Sequence, residues 1–146
     1  MNRRHRPGEP VSRSELRDLL ARQMRERELQ ENVRQHCTVT RWRYYHTHRS
    51  EHSPDGFPDC VMVRIRPEEF SLLFIELKRQ SESPTPAQQA WLDDVAAIGY
   101  AINQVSEWLS RLTTNKIPRI IIRSECWRPM DWLTGRIENV LNDPSS

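Results

Sequence analysis

Three charged residues in the middle of the chain have types and a spacing that suit catalysis: Asp59, Glu76 and Lys78. Side chains two residues apart on a β-strand project to the same face, roughly 6.5 Å apart. Glu76 and Lys78 therefore point together if they lie on one strand. Placing a carboxylate and an ammonium at the end of an apolar strand is costly unless both have partners. The pair is either a strand-end salt bridge or part of a site, and the Pro58-Asp59 step upstream favours a site.

A β-hairpin is the element that would position these residues. Two apolar, β-branched runs, Val61–Ile65 and Leu72–Leu77, are joined at residues 67–69, Pro-Glu-Glu. Such a pattern predicts two antiparallel strands. We expect three residues of the second strand to face away from Glu76, toward the core: Leu73, Ile75 and Leu77.

Length and composition predict one globular domain. The chain has 146 residues, of which 29% are charged and 36% hydrophobic. No apolar run approaches the ~20 residues of a membrane span, and the first residues lack the apolar core of a signal peptide. The three cysteines are odd in number and form no C-x-x-C pattern, which indicates free thiols in a reducing compartment. We therefore expect a cytoplasmic protein, in a bacterium or a phage-infected cell, with no membrane partner.

The positive charge lies in the first third of the chain. Residues 1–50 carry 12 arginines and 6 acidic residues, whereas residues 51–146 carry 10 basic and 14 acidic residues. Aromatic and histidine residues are interleaved with these arginines, which suits contact with a polyanion such as DNA. The candidates for this contact are Arg43, His46 and Arg49. The alternative is a solvated helix face.

A first helix is predicted from Ser12, because Ser12 and Glu15 fit a capping box. Its apolar residues form two stripes whose centres differ by more than about 90° around the helix. The stripes are Leu16, Leu19, Leu20 and Met24, then Leu29, Val33 and Cys37. Either the helix bends near residues 24–27, or its first half packs against something else, such as a partner subunit. Glu26 falls on the second stripe, which makes it a site candidate rather than an acid at the margin that reaches solvent.

The remaining elements follow from turn and capping signals. Residues 41–47 are β-prone and predict a first strand. Thr85 and Pro86 mark a helix start, and Gln88 in its first turn could reach the end of the hairpin or remain exposed. Gly99 is expected to end this helix. Residues 101–112 have helical spacing, although a short strand could begin at residues 100–102.

The C-terminal part completes an α/β (α+β) pattern. Residues 119–123 predict a strand, and Pro129 opens a last helix. The predicted order is α-β-β-β-α-(α)-β-α, a mixed β-sheet flanked by helices. Residues 1–11 are expected to be a flexible arm, residues 12–142 a single domain, and residues 143–146 a tail.

Two histidines raise the possibility of zinc. His46 and His48 share a strand face if the first strand extends that far. No cysteine or third ligand stands at a suitable spacing, so a phosphate contact by His46 is the stronger interpretation.

The sequence resembles the VRR-NUC branch of the PD-(D/E)XK nucleases. The motifs that carry the resemblance span about residues 24–142 and follow the order of the family. They are Glu26-x-x-Leu29-x-x-x-Val33, Trp42-x-x-Tyr45-His46-Thr47, Gly56-Phe57-Pro58-Asp59, Ile75-Glu76-Leu77-Lys78, Thr85-Pro86-Ala87-Gln88-x-x-Trp91-Leu92 and Trp127-Arg128-Pro129-x-Asp131-Trp132. Residues 1–20 have no counterpart in the family pattern. Residues from about 100 to 118 look like an insertion.

The resemblance implies a restriction-endonuclease-like fold and Mg²⁺-dependent phosphodiester hydrolysis, with Mn²⁺ able to substitute. Carried over by motif position, the metal ligands are Glu26, Asp59, Glu76 and the backbone carbonyl of Leu77. Lys78 corresponds to the catalytic lysine, and Gln88 to a helix glutamine near the active site.

Elementary electrostatics agrees with a metal at such a site. Carboxylates ~5 Å apart repel by roughly 3 kcal/mol per pair at an effective dielectric near 20. Three acids around one point are therefore reasonable chiefly when a cation lies between them. Hard oxygen ligands suit Mg²⁺, which polarises a phosphate and lowers the pKa of a bound water.

The favoured hypothesis is a metal-dependent DNA endonuclease, and the resemblance suggests branched, flap or Holliday-junction DNA as its substrate and a homodimer as its form. A second hypothesis is a catalytically inactive nucleic-acid-binding module on the same fold. A third is a zinc-stabilised interaction domain.

Overall fold

The computed structural model describes residues 8–47 and 54–146, which form a four-stranded mixed sheet with helices on both faces. The elements in chain order are α1 (Arg13–Gln23), α2 (Glu26–Val39), β1 (Arg43–His46), β2 (Cys60–Arg66), β3 (Glu69–Leu77), α3 (Pro86–Leu112), β4 (Arg119–Trp127), α4 (Pro129–Leu133) and α5 (Arg136–Asn142). This mixed α+β architecture confirms the predicted fold class and is consistent with a restriction-endonuclease-like fold.

The N-terminal helix is broken, as the angle between its two apolar stripes suggested. The Ser12 hydroxyl accepts a hydrogen bond from the backbone N–H of Glu15, and the Glu15 carboxylate accepts one from Ser12 N–H, which confirms the capping box. Met24 and Arg25 both have extended backbone angles, so α1 ends and α2 begins in a new direction. The break lets each helix present its own stripe.

The sheet follows the order β1-β2-β3-β4. The first three strands are antiparallel, and β3 pairs in parallel with β4 through the crossover helix α3. Arg66 lies opposite Glu69, so Pro67 and Glu68 form a two-residue turn and confirm the predicted hairpin.

The core lies between the sheet and the helices α2 and α5. Leu73, Ile75 and Leu77 of β3 are fully buried there, as the alternation predicted. They pack with α2 and α5 residues that share this cluster, namely Leu29, Val33, Cys37, Ile137, Val140 and Leu141. The opposite face of the sheet meets α3, where the Ser124 hydroxyl donates to the carbonyl of Leu92. Helices therefore pack on both faces of the sheet.

One prediction about α3 was wrong. Gly99 does not end a helix, because α3 runs without interruption from Pro86 to Leu112 and includes the residues expected to form a separate helix or a short strand. The physical reason for the glycine is proximity, since a Cβ atom at this position would overlap the carbonyl oxygen of Ile122 on β4.

The last helix was predicted as one element and is two. Gly135 has φ +78°, a left-handed conformation that separates α4 from α5. Arg64 then ties α5 to the sheet. It lies 4.4 Å from the ring centroid of Trp42 and donates hydrogen bonds to the carbonyls of Leu141 (2.7 Å) and Asn142 (3.2 Å).

None of the helices in the described part of the chain combines the length and apolar character needed to cross a bilayer. The three cysteines are unpaired, with Cys37 and Cys60 buried and Cys126 half-buried.

Candidate active site

Asp59 stands at the end of a loop that is anchored on three sides. Gly56, with φ +84°, packs so tightly on the first turn of α3 that a Cβ atom would lie 2.6 Å from the carbonyl oxygen of Ala87. The ring of Phe57 makes edge contacts with Trp91 of α3, at 5.0 Å between centroids, and with Phe74 of β3 at 6.3 Å.

The end of β1 holds the same loop from the third side. The backbone N–H of Thr47 donates to the carbonyl of Asp59 (2.7 Å), and its hydroxyl donates to the carbonyl of Pro58 (3.0 Å). The position of Asp59 is thus set by β1, β3 and α3 together.

The carboxylate of Asp59 reaches across to the end of β3. Its Oδ2 atom accepts a hydrogen bond from the backbone N–H of Leu77 at 2.8 Å. This contact places the Asp59 carboxylate beside Glu76 and the Leu77 backbone, although 17 residues separate Asp59 from Glu76 in the sequence. The structure therefore brings the two acids together where β2 begins and β3 ends.

Glu76 and Lys78 form an ion pair on the face opposite the core. Lys78 Nζ lies 3.0 Å from Glu76 Oε1, and the two side chains are only 14% and 1% exposed. The second carboxylate oxygen, Glu76 Oε2, is buried and has no hydrogen-bond partner among the described residues. A buried carboxylate oxygen is expensive without compensation, which a cation or a proton shared with Asp59 would supply.

The pKa values of Glu76 and Lys78 reflect their burial and the charges around them. The pKa of Glu76 is raised to about 7, chiefly by burial and then by the negative charge of Asp59 and a hydrogen bond with its carboxyl group, whereas the hydrogen bond and charge of Lys78 oppose the increase. Burial lowers the pKa of Lys78, but the hydrogen bond and charge of Glu76, with the charges of Glu26 and Asp59, outweigh it and raise the pKa. Lys78 is therefore a permanent cation among three acids.

Glu26 approaches the site from the first position of α2. It is half-buried, and its charge acts on Lys78. Within residues 8–47 and 54–146, no three histidine, cysteine or acidic side chains stand close enough together to hold a metal ion. Asp59 and Glu76 are assembled as a pair, and Glu26 is near enough for its charge to act on Lys78.

The other candidates are distributed around this centre. Gln88 uses its side chain to cap its own helix, because Oε1 accepts from the backbone N–H of Thr85 at 2.8 Å. Its backbone nevertheless adjoins Gly56, so Gln88 borders the loop that carries Asp59.

The nucleic-acid candidates on β1 take different positions. His46 is half-buried at the site end of the strand, opposite Cys60, whereas Arg43 is exposed at its other end. Arg49, and His48 of the possible zinc pair, lie outside the described residues.

One neighbour of the site was not identified from the sequence. Cys126 on β4 lies directly opposite Glu76 in the parallel pairing of β3 and β4. Burial raises the pKa of its thiol, Arg128 lowers it, and the charge of Glu76 raises it again. Only the strand pairing shows this proximity, because Cys126 has no local sequence signal of a site residue.

The donor set fits a small, hard cation. Carboxylate oxygens of Asp59 and Glu76, together with the Leu77 carbonyl, are the ligand type that Mg²⁺ and Mn²⁺ prefer, and the unpartnered Glu76 Oε2 is the atom that such an ion would satisfy. No family model matches this chain, and no curated protein or solved structure is significantly similar to it.

Proposed function

We propose that this protein is a Mg²⁺-dependent nuclease that hydrolyses phosphodiester bonds in DNA, with Asp59, Glu76 and Lys78 at its centre. The observation that carries the proposal is the buried carboxylate of Glu76, with Oε2 lacking a partner beside a second acid. Protein interiors do not keep such an arrangement without compensation. A divalent cation held by Asp59 and Glu76 would supply it.

The motif resemblance to VRR-NUC nucleases supports the same function independently of the geometry. It rests on the residues that surround the site, including Gly56-Phe57-Pro58-Asp59 and Ile75-Glu76-Leu77-Lys78. The three unpaired thiols support a reducing cytoplasm, bacterial or of a phage-infected cell, as the place of action.

Each residue has a defined task in this proposal. Asp59 and Glu76 would hold the cation, with Glu26 as a third acidic ligand. When bound, the ion polarises the scissile phosphate and lowers the pKa of a water ligand. Leu77 N–H fixes the orientation of the Asp59 carboxylate through the 2.8 Å hydrogen bond.

Lys78 contributes positive charge at the same face. Its ammonium lies 3.0 Å from Glu76, so it stands within reach of the ion's ligands. From there it orients the attacking water or offsets charge on the phosphate oxygens in the transition state.

The test is cleavage of a panel of duplex, single-stranded, flap and four-way-junction DNAs in the presence of Mg²⁺. We expect cleavage of at least one substrate by the unaltered chain. Asp59→Ala, Glu76→Ala and Lys78→Ala should each abolish it while the circular dichroism spectrum stays unchanged. Glu68→Ala, an exposed acid at the hairpin turn, is the matched control and should remain active.

Metal binding gives a second readout that does not depend on finding the substrate. Mn²⁺ should raise the melting temperature of the unaltered chain and leave that of Glu76→Ala unchanged. Full activity in any of the three site variants contradicts the assignment. DNA binding without cleavage, and without a metal effect, would instead identify an inactive nucleic-acid-binding module.

A further inference from the structure

A cavity at the hairpin end of the sheet, away from Asp59, is lined by three arginines. Its volume is about 490 Å³, and it lies between the end of α2, with Arg41, and the end of β2, with Arg64 and Arg66. The two ends of β2, Cys60 and Arg66, are roughly 20 Å apart, and Asp59 directly precedes Cys60. The cavity is therefore separate from the proposed metal site.

The wall of this cavity does not compensate its own positive charge. Among its lining residues, all of them in the described part of the chain, three are arginines and none is acidic. Arg64 is only 4% exposed, and its buried Nε atom has no hydrogen-bond partner within residues 8–47 and 54–146. The acid that pairs with it, Glu69, lies 3.7 Å from Nη2, which is beyond hydrogen-bond distance. An anion in the cavity would compensate this buried charge.

The pKa of Arg64 reflects the same imbalance. Burial lowers this pKa, and the positive charge of Arg66 lowers it further. Together these two effects outweigh the attraction of Glu69 and Asp143, which raises it. Two guanidinium groups that repel each other at the wall of one cavity are stabilised by an anion that contacts both.

Arg41 stands at a backbone position that glycine usually occupies. α2 ends in a Schellman motif, because the backbone N–H of Trp42 donates to the carbonyl of Cys37 (2.9 Å) and that of Arg41 to the carbonyl of Thr38 (3.4 Å). Arg41 has φ +62° and is the only non-glycine residue with a positive φ in the part of the chain that the structure describes. This conformation strains a residue with a Cβ atom, and strain of this kind is concentrated at functional sites.

We propose that this cavity binds a phosphate group, which Arg41 and Arg66 contact and the fixed charge of Arg64 attracts. Guanidinium groups match phosphate oxygens with paired N–H donors and stay charged at physiological pH. Arg41 and Arg66 are exposed, so their side chains can close on the phosphate. Arg64 is held by its hydrogen bonds to the carbonyls of Leu141 and Asn142.

The phosphate group belongs either to the backbone of a bound nucleic acid or to a free phosphate compound. Both present the same oxygens to the arginines, so the binding chemistry is common to them. The proposal does not depend on the nuclease activity, because the cavity and the metal site share no residue.

The experiment titrates the protein with inorganic phosphate and follows its backbone amide signals by nuclear magnetic resonance. EDTA is present, so that phosphate cannot bind through a cation at Asp59 and Glu76, and the ionic strength is held constant. We expect saturable shifts at residues 39–41 and 64–66. Sodium acetate in place of phosphate should give no comparable shift.

Two single variants test the arginines that contact the phosphate. Arg41→Gly and Arg66→Gln should each weaken phosphate binding about 10-fold or more, as for the loss of a hydrogen bond to a charged group. Arg41→Gly should also raise the melting temperature, because glycine adopts φ +62° without strain. Arg111→Gln, which removes an exposed guanidinium from the end of α3, is the matched control and should bind phosphate like the unaltered chain.

A second measurement identifies the source of the phosphate, by fluorescence anisotropy of labelled duplex DNA over a range of salt concentrations. If the phosphate belongs to DNA, Arg41→Gly/Arg66→Gln should lower the affinity and reduce the slope of log affinity against log salt concentration by about 2. Unchanged DNA affinity, with loss of inorganic phosphate binding, identifies a free phosphate compound. A chain that binds phosphate but no DNA contradicts the nuclease and leaves the phosphate site established.

Three results overturn the proposal. The first is the absence of saturable phosphate shifts around the cavity in the unaltered chain. The second is an equal response to acetate, which would show a general attraction of anions. The third is an unchanged phosphate affinity in Arg41→Gly and Arg66→Gln, which would leave Arg41 with a structural role only.

Discussion

Glu76 is the residue on which the candidate site depends. Its side chain is 1% exposed, and beside its ion pair with Lys78 its Oε2 atom has no hydrogen-bond partner among residues 8–47 and 54–146. A replacement by glutamine keeps the shape and removes the charge. Its effect on stability therefore reports the energetic state of the carboxylate without requiring any substrate.

We predict that the metal-free protein loses stability as the pH rises from about 4.5 to about 7. The pKa of Glu76 is near 7 in the folded protein and 4.5 in the reference state. In this window the folded state holds the proton and the unfolded chain releases it, so the free energy of unfolding falls with rising pH. Glu76→Gln should remove roughly 1–3 kcal/mol of this loss, measured by urea unfolding at pH 5 and pH 8.

Mg²⁺ should suppress the loss in the unaltered protein, because the ion takes the place of the proton. The control is Glu68→Gln, whose exposed carboxylate should leave the pH dependence unchanged. Identical pH dependence for Glu76→Gln and the unaltered protein would show that Glu76 carries no burial penalty.

The sequence was sufficient to predict that Asp59, Glu76 and Lys78 lie together at the end of the hairpin, but not which other residues surround them. The two-residue spacing of Glu76 and Lys78 determines their common face, and the Asp59 position before β2 follows from the hairpin. Cys126 could not be placed beside Glu76, because its position depends on the parallel pairing with β4. That pairing is set by a 27-residue crossover helix rather than by a local signal.

At the scale of elements, local signals predicted the starts of helices better than their ends. The Ser12 capping box and the Thr85 cap followed by Pro86 are formed by residues at most three apart, so they are visible in the sequence and correct in the structure. Gly99 resembles a helix end for the same local reasons. Its actual role depends on contact with Ile122, more than twenty residues away, which no local pattern encodes.

The loop that carries Asp59 should tolerate no side chain at Gly56. We predict that Gly56→Ala lowers cleavage activity roughly 10- to 100-fold, because the loop must move away from Ala87 and takes Asp59 out of position. Gly135→Ala is the matched control, since Gly135 has a similar φ of +78° but open space at its Cβ position. Both variants should lose about 1–2 kcal/mol of stability from the left-handed backbone.

Cleavage kinetics under saturating Mg²⁺ provide the measurement for this pair. Only Gly56→Ala should lose cleavage activity. In thermal melts, Gly56→Ala should be destabilised at least as much as Gly135→Ala. Equal activity of the two variants would show that contact with α3 does not position Asp59.

The attachment of α5 to the sheet should depend on Arg64. Its guanidinium donates to backbone carbonyls at the end of α5 and stacks on Trp42. We predict that Arg64→Met costs roughly 2–4 kcal/mol, because buried carbonyl oxygens lose their donors. Arg66→Met, on the same strand but exposed, should change stability by less than about 0.5 kcal/mol.

Chemical denaturation of both arginine variants gives these differences directly. The slopes of the unfolding transitions should match that of the unaltered protein, so that midpoints can be compared. A small effect of Arg64→Met would mean that Trp42, whose indole N–H also donates to Leu141, holds α5 without help.

At the scale of the whole molecule, the charge distribution places acids at the site and arginines in the first third of the chain. β1 carries one of these arginines, Arg43, which is exposed at the end of the strand away from His46. DNA held along this strand would bring its backbone toward His46 and Asp59. This arrangement predicts a salt-dependent component of binding that Arg43 contributes to.

Arg43→Gln should weaken DNA binding equally for different sequences and reduce the slope of log affinity against log salt concentration by about 1. Fluorescence anisotropy in Ca²⁺, which supports binding by hard-cation sites without the chemistry that Mg²⁺ supplies, is a suitable measurement. Arg119→Gln, exposed at the far end of the sheet, serves as the control and should keep the slope. An unchanged slope in Arg43→Gln would place the DNA elsewhere.

The unequal burial of the three cysteines has a practical consequence. Cys37 and Cys60 are enclosed in the core, where burial raises the pKa of each thiol to about 12, whereas Cys126 is half-buried and adjoins Glu76. Of the three thiols, Cys126 should therefore react fastest with a maleimide dye or an alkylating reagent, and it borders the acids. Covalent labelling would then attach a fluorescent reporter beside the proposed metal site, and it should reduce cleavage if the proposed nuclease activity is correct.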